Sequence, residues 1–489
     1  MCRAAGLSEV PVRRPTPDHA MILNQVARLH RAVRSTAFRL REAATPLLPA
    51  RGRLGAVLPF LAVVCLDPAA AARSPQPAPP PLSPPAVGLA VDGGVTFDAA
   101  WQAIRETYVD EARSEADWQR LRDEYRPRAA AAGSDEALRT VLREMLGRLG
   151  RSHFDLMSSD VHARIATAAA SPADAGDVGF DVTPLDGRAV VNHVEPGGPA
   201  SLAGIRPGWI LERVDDEGVS DTNGFRLWTI ATALLRGRTG SAVTMDFRDE
   251  ADGLVHVTLT RGRQQGEPVT IGHLPTFFAR LAHRRLPQAP GPGVHHIRFN
   301  VWMTPLAPEI DRAVHAARDA DGIVLDLRQN PGGVLSMLMG VSGHFLASPT
   351  SLGTLRMRDS ELRLVANPRL LAPDGARVPP YSGPLAILVD ETSYSASEIF
   401  AAGMQAIGRA RVFGRRTPGG ALPATLRKLP NGDVLEYAIG DFVTASGERI
   451  EGRGVVPDET VDPSREALAA GRDPALAAAL AWIAEVARR

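Results

Sequence analysis

Two short runs, Gly322–Leu327 and Leu385–Val389, are almost wholly apolar, and each is followed by a polar turn and a helical pattern. An apolar run of five or six residues bounded by turns reads as a strand buried on both faces. Val294–Asn300 and the helical stretch Pro308–Arg318 precede them in the same rhythm. Alternating strand and helix specify an α/β layer with crossover helices. Active sites in such sheets collect at the carboxyl ends of strands. Two turns stand at such ends: Arg328-Gln-Asn-Pro-Gly-Gly333, ahead of the helical Val334–Leu346, and the turn that leads to Ser395. From Ser395 onward Ile399, Gly403 and Ile407 recur four residues apart, as on one helical face. A hydroxyl there lies beside the free N–H groups and positive end of a helix, where a tetrahedral oxyanion can be stabilised. Taken alone, Ser393, Ser395 and Ser397 read equally well as capping residues.

The 489 residues give room for two or three domains. Phe97–Leu156 reads as helices, with Trp101, Ile104 and Tyr108, and then Leu138, Val141, Leu142, Met145 and Leu149, at helical spacing. Gly150 is a plausible helix end, so His153 should stand just past one. Val178–Val182, Ala189–Val194 and Val243–Phe247 read as strands, and Asn223–Arg236 as a helix. Val434–Ala445 reads as a hairpin arm and Ala475–Ala487 as a closing helix. The expected organisation is a leader (1–72), a proline-rich linker (73–93), a helical segment (94–165), a small β domain (175–264) and an α/β core (280–489).

The leader rests on Arg51 and Arg53, the apolar run Leu54–Leu66, and the small residues that end at Ala72. A positive flank, a short apolar core and a small-residue cleavage site make a secretory signal, which places the mature protein in the periplasm or outside the cell. The run is too short to span a bilayer as a helix. Both cysteines, Cys2 and Cys65, fall within this leader, so a mature chain has no thiol for disulfides, Cys-ligated zinc or a cysteine nucleophile. Residues 1–72 hold ten arginines against four acids, which leaves the rest with a net charge of −6. An acidic body argues against nucleic-acid binding. No metal cluster or phosphate loop is evident, and no cofactor is expected. The chain has a single lysine, Lys428.

Three features together resemble one family. Asp326-Leu-Arg-Gln-Asn-Pro-Gly-Gly333 is similar to the signature of the tail-specific (C-terminal-processing) proteases and the tricorn core protease. Ser393-Tyr-Ser-Ala-Ser-Glu398 resembles the nucleophile turn of that family, and 175–264 resembles a PDZ domain inserted ahead of both. The resemblance implies an α/β core of the crotonase-like layered type. It implies Ser395 as nucleophile, with an oxyanion hole from the N–H of Ala396 and of Gly332 or Gly333. In a PDZ-like domain, Gly179-Phe180 would receive a peptide's terminal carboxylate, and the peptide would add to the sheet edge.

The best-known members pair the serine with a lysine in a Gly-x-x-Thr-x-Gly-Lys-Gly stretch. Here that stretch is Gly414-Arg-Arg-Thr-Pro-Gly-Gly-Ala421, and Gly420 stands at the lysine position. Neighbouring arginines cannot replace a lysine, because guanidinium keeps its proton. The tricorn-like branch uses a histidine after a serine, ahead of the PDZ-like part, and a glutamate before Gly-Val-x-Pro-Asp. Ser152-His153 and Glu451 match those placements. Taken alone, His153 reads as a surface cation at a helix end, Glu451 as a solvated charge, and Glu398 as a helix-start charge. The expected function is a serine endopeptidase acting on peptides or unfolded protein C-termini. Its alternative is a non-catalytic peptide-binding scaffold of the same fold. The oligomeric state is left open.

Overall fold

The computed structural model describes residues 92–108, 114–159, 172–269, 276–287 and 291–488. The expected leader and nearly all of the proline-rich linker lie outside the described residues.

The first described elements are α1 (Gly93–Thr107), α2 (Glu115–Ala130) and α3 (Asp135–Gly147). Their apolar faces bury Phe97, Trp101, Ile104, Leu138, Leu142 and Met145 in one cluster. Ser114 and Ser134 cap α2 and α3 by accepting from the N–H groups of Asp117 and Ala137. Helix ends earlier than the pattern to Leu156 suggested. Gly150 takes a φ of +60°, and Asp155–Met157 forms β1, paired antiparallel with residues 434–436. Three residues are too few for a helix, and a strand from far along the chain supplies their partner. His153 stands in the link between α3 and β1. The segment is fastened by Arg139 of α3, which donates to both oxygens of Asp433 at 3.0 Å.

The segment expected to be PDZ-like contains β2 (Phe180–Leu185), β3 (Arg188–Val194), β4 (Ile210–Val214), α4 (Gly224–Leu235), β5 (Ala242–Arg248) and β6 (Leu254–Thr260). The strands form an antiparallel sheet in the order β2-β3-β4-β5-β6. Val182, Val191, Leu211 and Phe247 pack with Leu227 and Ala231 of α4 in its core. Asn223 caps α4 through the N–H of Arg226. Strand β2 is at the edge of this sheet.

The core begins with β7 (Leu281–Leu286), β8 (Val294–Phe299), α5 (Ala307–Ala316), β9 (Gly322–Asp326) and α6 (Leu335–Ser342). It continues with β10 (Thr350–Arg356), β11 (Glu361–Ala366), β12 (Leu385–Val389), α7 (Ala396–Ala406) and β13 (Arg411–Gly414). It ends with β14 (Ala424–Lys428), β15 (Val434–Ala438), β16 (Asp441–Thr444), β17 (Glu459–Thr460) and α8 (Pro474–Ala487). The central sheet runs β7-β8-β9-β12-β13-β17, and every pair in it is parallel except β7 with β8. Alternating residues divide between its faces. Ile323, Leu325, Ile387 and Val389 pack with Ile310 of α5, Leu338 of α6 and Phe400 of α7. Val324, Ala386, Leu388 and Phe413 pack with Leu476, Ala479 and Ile483 of α8. The mixed α/β class and its buried parallel strands are as the apolar runs imply.

Val434–Ala445 is a hairpin arm only in its first half, where β15 pairs antiparallel with β14 across the turn 429–433. Strand β15 lies between β1 and β14, whereas β16 pairs with β10 in another sheet. Local alternation identifies strands, but their partners are chosen by distant chain segments. Strands β7, β10 and β11 carry exposed polar residues and gave no clear pattern.

Arg139 and Asp433 are buried, with side-chain exposures of 7% and 0%. Removing one partner leaves a buried charge uncompensated. Arg139→Met should therefore destabilise the protein by about 3–5 kcal/mol. It should also loosen the segment that carries His153, and urea unfolding followed alongside peptide hydrolysis would show both losses.

Candidate active site

Ser395 is the N-cap of α7, at the carboxyl end of β12, with φ +54° and ψ −116°. Among the described non-glycine residues six have positive φ. Three are aspartates, which tolerate that region. The others are His153, Gln329 and Ser395. Backbone held this way costs about 1–3 kcal/mol per residue and is found where surrounding structure forces it.

The three serines of the turn differ in what they bond. Ser393 Oγ donates to the carbonyl of Leu327 at 2.8 Å, and Ser397 Oγ to that of Asn330 at 2.8 Å. Ser397 Oγ also accepts from the Trp302 indole at 2.9 Å. Ser395 Oγ is buried and has no hydrogen-bond partner. Ser393 and Ser397 are thus structural hydroxyls that tie this turn to the one after β9 rather than caps of α7, and Ser395, at the N-cap position, stands apart.

The glycine turn after β9 packs directly on Ser395. A Cβ on Gly332 would stand 2.8 Å from Ser395 Cβ and 3.1 Å from the Ala396 nitrogen. Gly332 and Gly333 have φ of +107° and +141°, a region that favours glycine. Asn330 holds the turn by donating to the Phe299 carbonyl at 3.0 Å and accepting from the Gly332 N–H at 3.1 Å. The Gly332 N–H is therefore engaged. The bridge between Gly333 and Trp302 uses the Gly332 carbonyl and the Val334 N–H, and so does not consume the Gly333 N–H. Ala396, the first residue of α7, has a first-turn N–H that lacks an intrahelical acceptor.

His153, Ser152 and Glu451 form a connected relay. Ser152 Oγ lies 2.7 Å from His153 Nδ1 and donates to Glu451 Oε2 at 2.8 Å. The other carboxylate oxygen accepts the Ser152 N–H at 2.8 Å, and Oε2 also accepts the Ala421 N–H at 3.2 Å. A serine has one proton to give. With that proton on Glu451, Ser152 Oγ accepts from His153 Nδ1–H, and the lone pair stays on Nε2. His153 Nε2 is buried and has no hydrogen-bond partner. Burial pushes the imidazole down to about 3, so it is neutral near pH 7. Burial raises the Glu451 carboxyl, against the N–H and hydroxyl of Ser152 and the Ala421 N–H. The imidazole stacks on Tyr394, the residue before Ser395, at 5.1 Å between ring centroids. Residues almost 250 positions apart in the chain are thus brought into one neighbourhood.

Gly179 and Phe180 stand at the start of β2. Gly179 has φ +81°, and its N–H donates to Asp177 Oδ1 at 2.8 Å. Both line a cleft with Asp181, Arg263 and Arg280. Two carbonyls along β2 are met by the core. Val182 accepts from Gln329 Nε2 at 2.7 Å, and Pro184 from Arg415 at 2.9 Å. Lys428 is exposed on β14. Among the described residues no group of three or more His, Cys, Asp or Glu side chains is placed to hold a metal ion.

Two residues beside the site were not placed in it by the sequence reading. Glu398 is wholly buried, and its carboxylate accepts from the N–H groups of Ser395 at 3.1 Å, Gly419 at 2.7 Å and Gly420 at 2.9 Å, and from Thr417 Oγ1 at 2.5 Å. Burial pushes it up to about 7 against those four donors. Its place three residues after the N-cap was a usable signal, since such a glutamate reaches back to the N-cap N–H. Tyr394 left no pattern in the sequence.

A lone buried hydroxyl on a strand-to-helix turn, beside backbone donors and an imidazole, is the set of groups that serine hydrolase chemistry would use on a layered α/β fold. Residues 294–461 match Peptidase family S41, and residues 95–147 match the Tricorn protease C1 domain. The α/β core is thus similar to the S41 peptidases and the helical segment to the tricorn C1 domain, and the chain is a serine-type peptidase. It is 26% identical over 375 residues to carboxyl-terminal-processing peptidase 3, chloroplastic, of Arabidopsis thaliana, a match spanning 74% of this chain and 68% of that protein. It is 25% identical over 365 residues to the carboxyl-terminal-processing protease of Synechocystis sp., spanning 74% and 79%. The fold is similar to that of the photosystem II D1 C-terminal processing protease, with a TM-score of 0.53 at 23% identity, covering 79% of this chain and 99% of that one. It is also similar to mature CPAF, with a TM-score of 0.50 at 13% identity, covering 81% and 96%.

The buried imidazole has a consequence for acid stability. Unfolded, a histidine titrates near ~6.5; folded, His153 titrates at about 3. Between those values the unfolded chain holds the extra proton. The contribution of His153 is complete above about pH 6.5 and falls by about 1.4 kcal/mol per pH unit on acidification toward the folded value. His153→Gln should lose less thermal stability than wild type between about pH 6.5 and 4.5, as calorimetry at the two pH values would record. Glu398→Gln turns an amide N–H toward backbone donors. It should cost about 1–3 kcal/mol in urea unfolding and slow peptide hydrolysis more than its effect on folding explains.

Proposed function

We propose that this protein is a periplasmic or secreted endopeptidase that cleaves peptides or unfolded protein C-termini through an acyl-enzyme, with His153 as general base. One observation carries the reading. Ser395 Oγ and His153 Nε2 are both buried and both without a hydrogen-bond partner, in a site where the neighbouring hydroxyls are all engaged. An unpaired buried polar atom costs about 1–3 kcal/mol. A donor and an acceptor left open together point to groups reserved for reaction, whose hydrogen bond tightens when substrate is bound.

In the proposed sequence, His153 Nε2 takes the Ser395 proton as Oγ attacks the scissile carbonyl. The oxyanion forms against the N–H groups of Ala396 and Gly333. Gly332 shapes the turn, and its own N–H stays on Asn330. The imidazolium is held through Nδ1–H to Ser152, whose hydroxyl rests on Glu451. It then returns the proton to the leaving amine, and water releases the acyl group by the same route. The β domain would act as the PDZ-like part: a terminal carboxylate would settle near Gly179-Phe180 and Arg263, with the peptide adding along β2. To do so it would displace the bonds from Gln329 and Arg415. The preference for C-termini draws on the relatives named above. The location draws on the expected leader, and no helix among the described residues is long and apolar enough to cross a membrane.

Ser395→Ala should abolish hydrolysis of an unstructured peptide while leaving the unfolding midpoint unchanged. His153→Ala should fall to within about tenfold of Ser395→Ala, and Lys428→Ala should match wild type. Covalent labelling of Ser395 by a fluorophosphonate should follow the same order. Absence of both labelling and hydrolysis in the wild-type chain would favour the non-catalytic peptide-binding scaffold. Loss of activity in Lys428→Ala with full activity in His153→Ala would overturn the assignment of the base.

A further inference from the structure

The ring of Tyr394 is enclosed by three neighbours from three parts of the chain. The His153 imidazole stacks on it with ring planes 19° from parallel. Phe225, in the first turn of α4, stacks on it at 4.2 Å between centroids and 16° from parallel. The near-parallel planes place Tyr394 between the imidazole and the β domain. The third neighbour is bare backbone. A Cβ on Gly420 would overlap the edge of the Tyr394 ring, so the ring occupies the volume that a side chain at 420 would need. Gly420 is itself fixed, donating its N–H to Glu398 and accepting the Ser395 N–H at 3.1 Å.

The imidazole needs such a support. In this structure it has one hydrogen bond, from Nδ1 to Ser152. A single bond lets an aromatic ring rock about its axis, and a rocking ring moves Nε2 relative to the nucleophile. A stacked face fixes the plane that the bond leaves free. We propose that Tyr394 is a positioning residue, whose ring, backed by Phe225 and seated on Gly420, sets the plane of His153 for proton transfer with Ser395. This inference rests on the reading of His153 as the base. It also accounts for the glycine at 420: any side chain there would push the ring off the imidazole.

Steady-state peptide hydrolysis and fluorophosphonate labelling of Ser395, both on the full chain, test it. Tyr394→Phe keeps the ring and should hold kcat within about threefold of wild type. Tyr394→Ala should lower kcat by about 10²-fold, with KM changed by less than about threefold, because misplacement by an ångström is felt in the reacting geometry rather than in binding. Gly420→Ala removes no atom of the site but displaces the ring, and should reproduce the loss. Combined with Tyr394→Ala it should add little, since both act on one contact. Phe225→Ala should lower kcat in the same direction, by about tenfold. Should Tyr394→Ala fail to fold, Gly420→Ala and Phe225→Ala carry the test. Wild-type kcat in Tyr394→Ala, or in both Gly420→Ala and Phe225→Ala, would overturn the inference, as would equal damage in Tyr394→Phe and Tyr394→Ala. His153→Ala in the same assay separates the two proposals. An inactive His153→Ala beside an active Tyr394→Ala refutes only the positioning role, whereas an active His153→Ala refutes the base assignment itself.

Discussion

Glu398 lies fully inside the protein, and its two carboxylate oxygens gather the N–H groups of Ser395, Gly419 and Gly420 and the hydroxyl of Thr417. Four donors on one buried group tie the start of α7 to a loop some twenty residues later. Each part of the site can be traced from that knot. Gly420 gives the wall for Tyr394. Ala421, the next residue, donates to Glu451. Glu451 holds Ser152, and Ser152 holds His153. A carboxylate with this many donors is costly to leave half-satisfied, so the loop and the turn form together or not at all.

The same accounting separates the bonded hydroxyls of the turn from the one left without a partner. The sheet supplies strand ends where backbone groups run out of partners, and side chains fill the gaps. Ser393 and Ser397 bond to the turn after β9, and Asn330 bonds the glycine turn to itself. Ser395 is held by its backbone alone, in a strained conformation that keeps its side chain out of the capping role. The imidazole is treated alike: one nitrogen is bonded, the other buried and open. Burial keeps it uncharged, which preserves its capacity to accept a proton.

Much of this could be seen in the linear sequence, for reasons that are local. Leu385–Val389 is a strand because five consecutive apolar residues can be buried on both faces of a parallel sheet. Ser395 was visible because a polar turn followed by helical spacing places it at a strand end. Ser152, His153 and Glu451 were visible only through resemblance. Nothing in their own surroundings marks them, and a histidine past a helix end reads alone as a surface cation. Val434–Ala445 read as one arm because its two strands are joined by a short link, yet β15 forms a hairpin with β14 while β16 pairs with β10 in another sheet. Glu398 is the helix-start charge that its position implies, but its full burial had no signal, because it depends on a loop that folds over it. Tyr394 gave no signal, because stacking between three rings from residues 153, 225 and 394 has no period.

The sequence by itself determined the layers: apolar runs that must be buried, turns at their carboxyl ends, helices that cover them, and a chain with one lysine. These follow from short-range periodicity and from which residue types can carry a charge or a proton. The tertiary structure alone decided which hydroxyl stays unbonded, which carboxylate is buried, and which ring stacks on the imidazole. Those outcomes depend on hydrogen bonds and contacts between segments up to about 300 residues apart (Ser152 and Glu451 the farthest in the relay), and burial becomes a property of a residue only once its distant neighbours are in place.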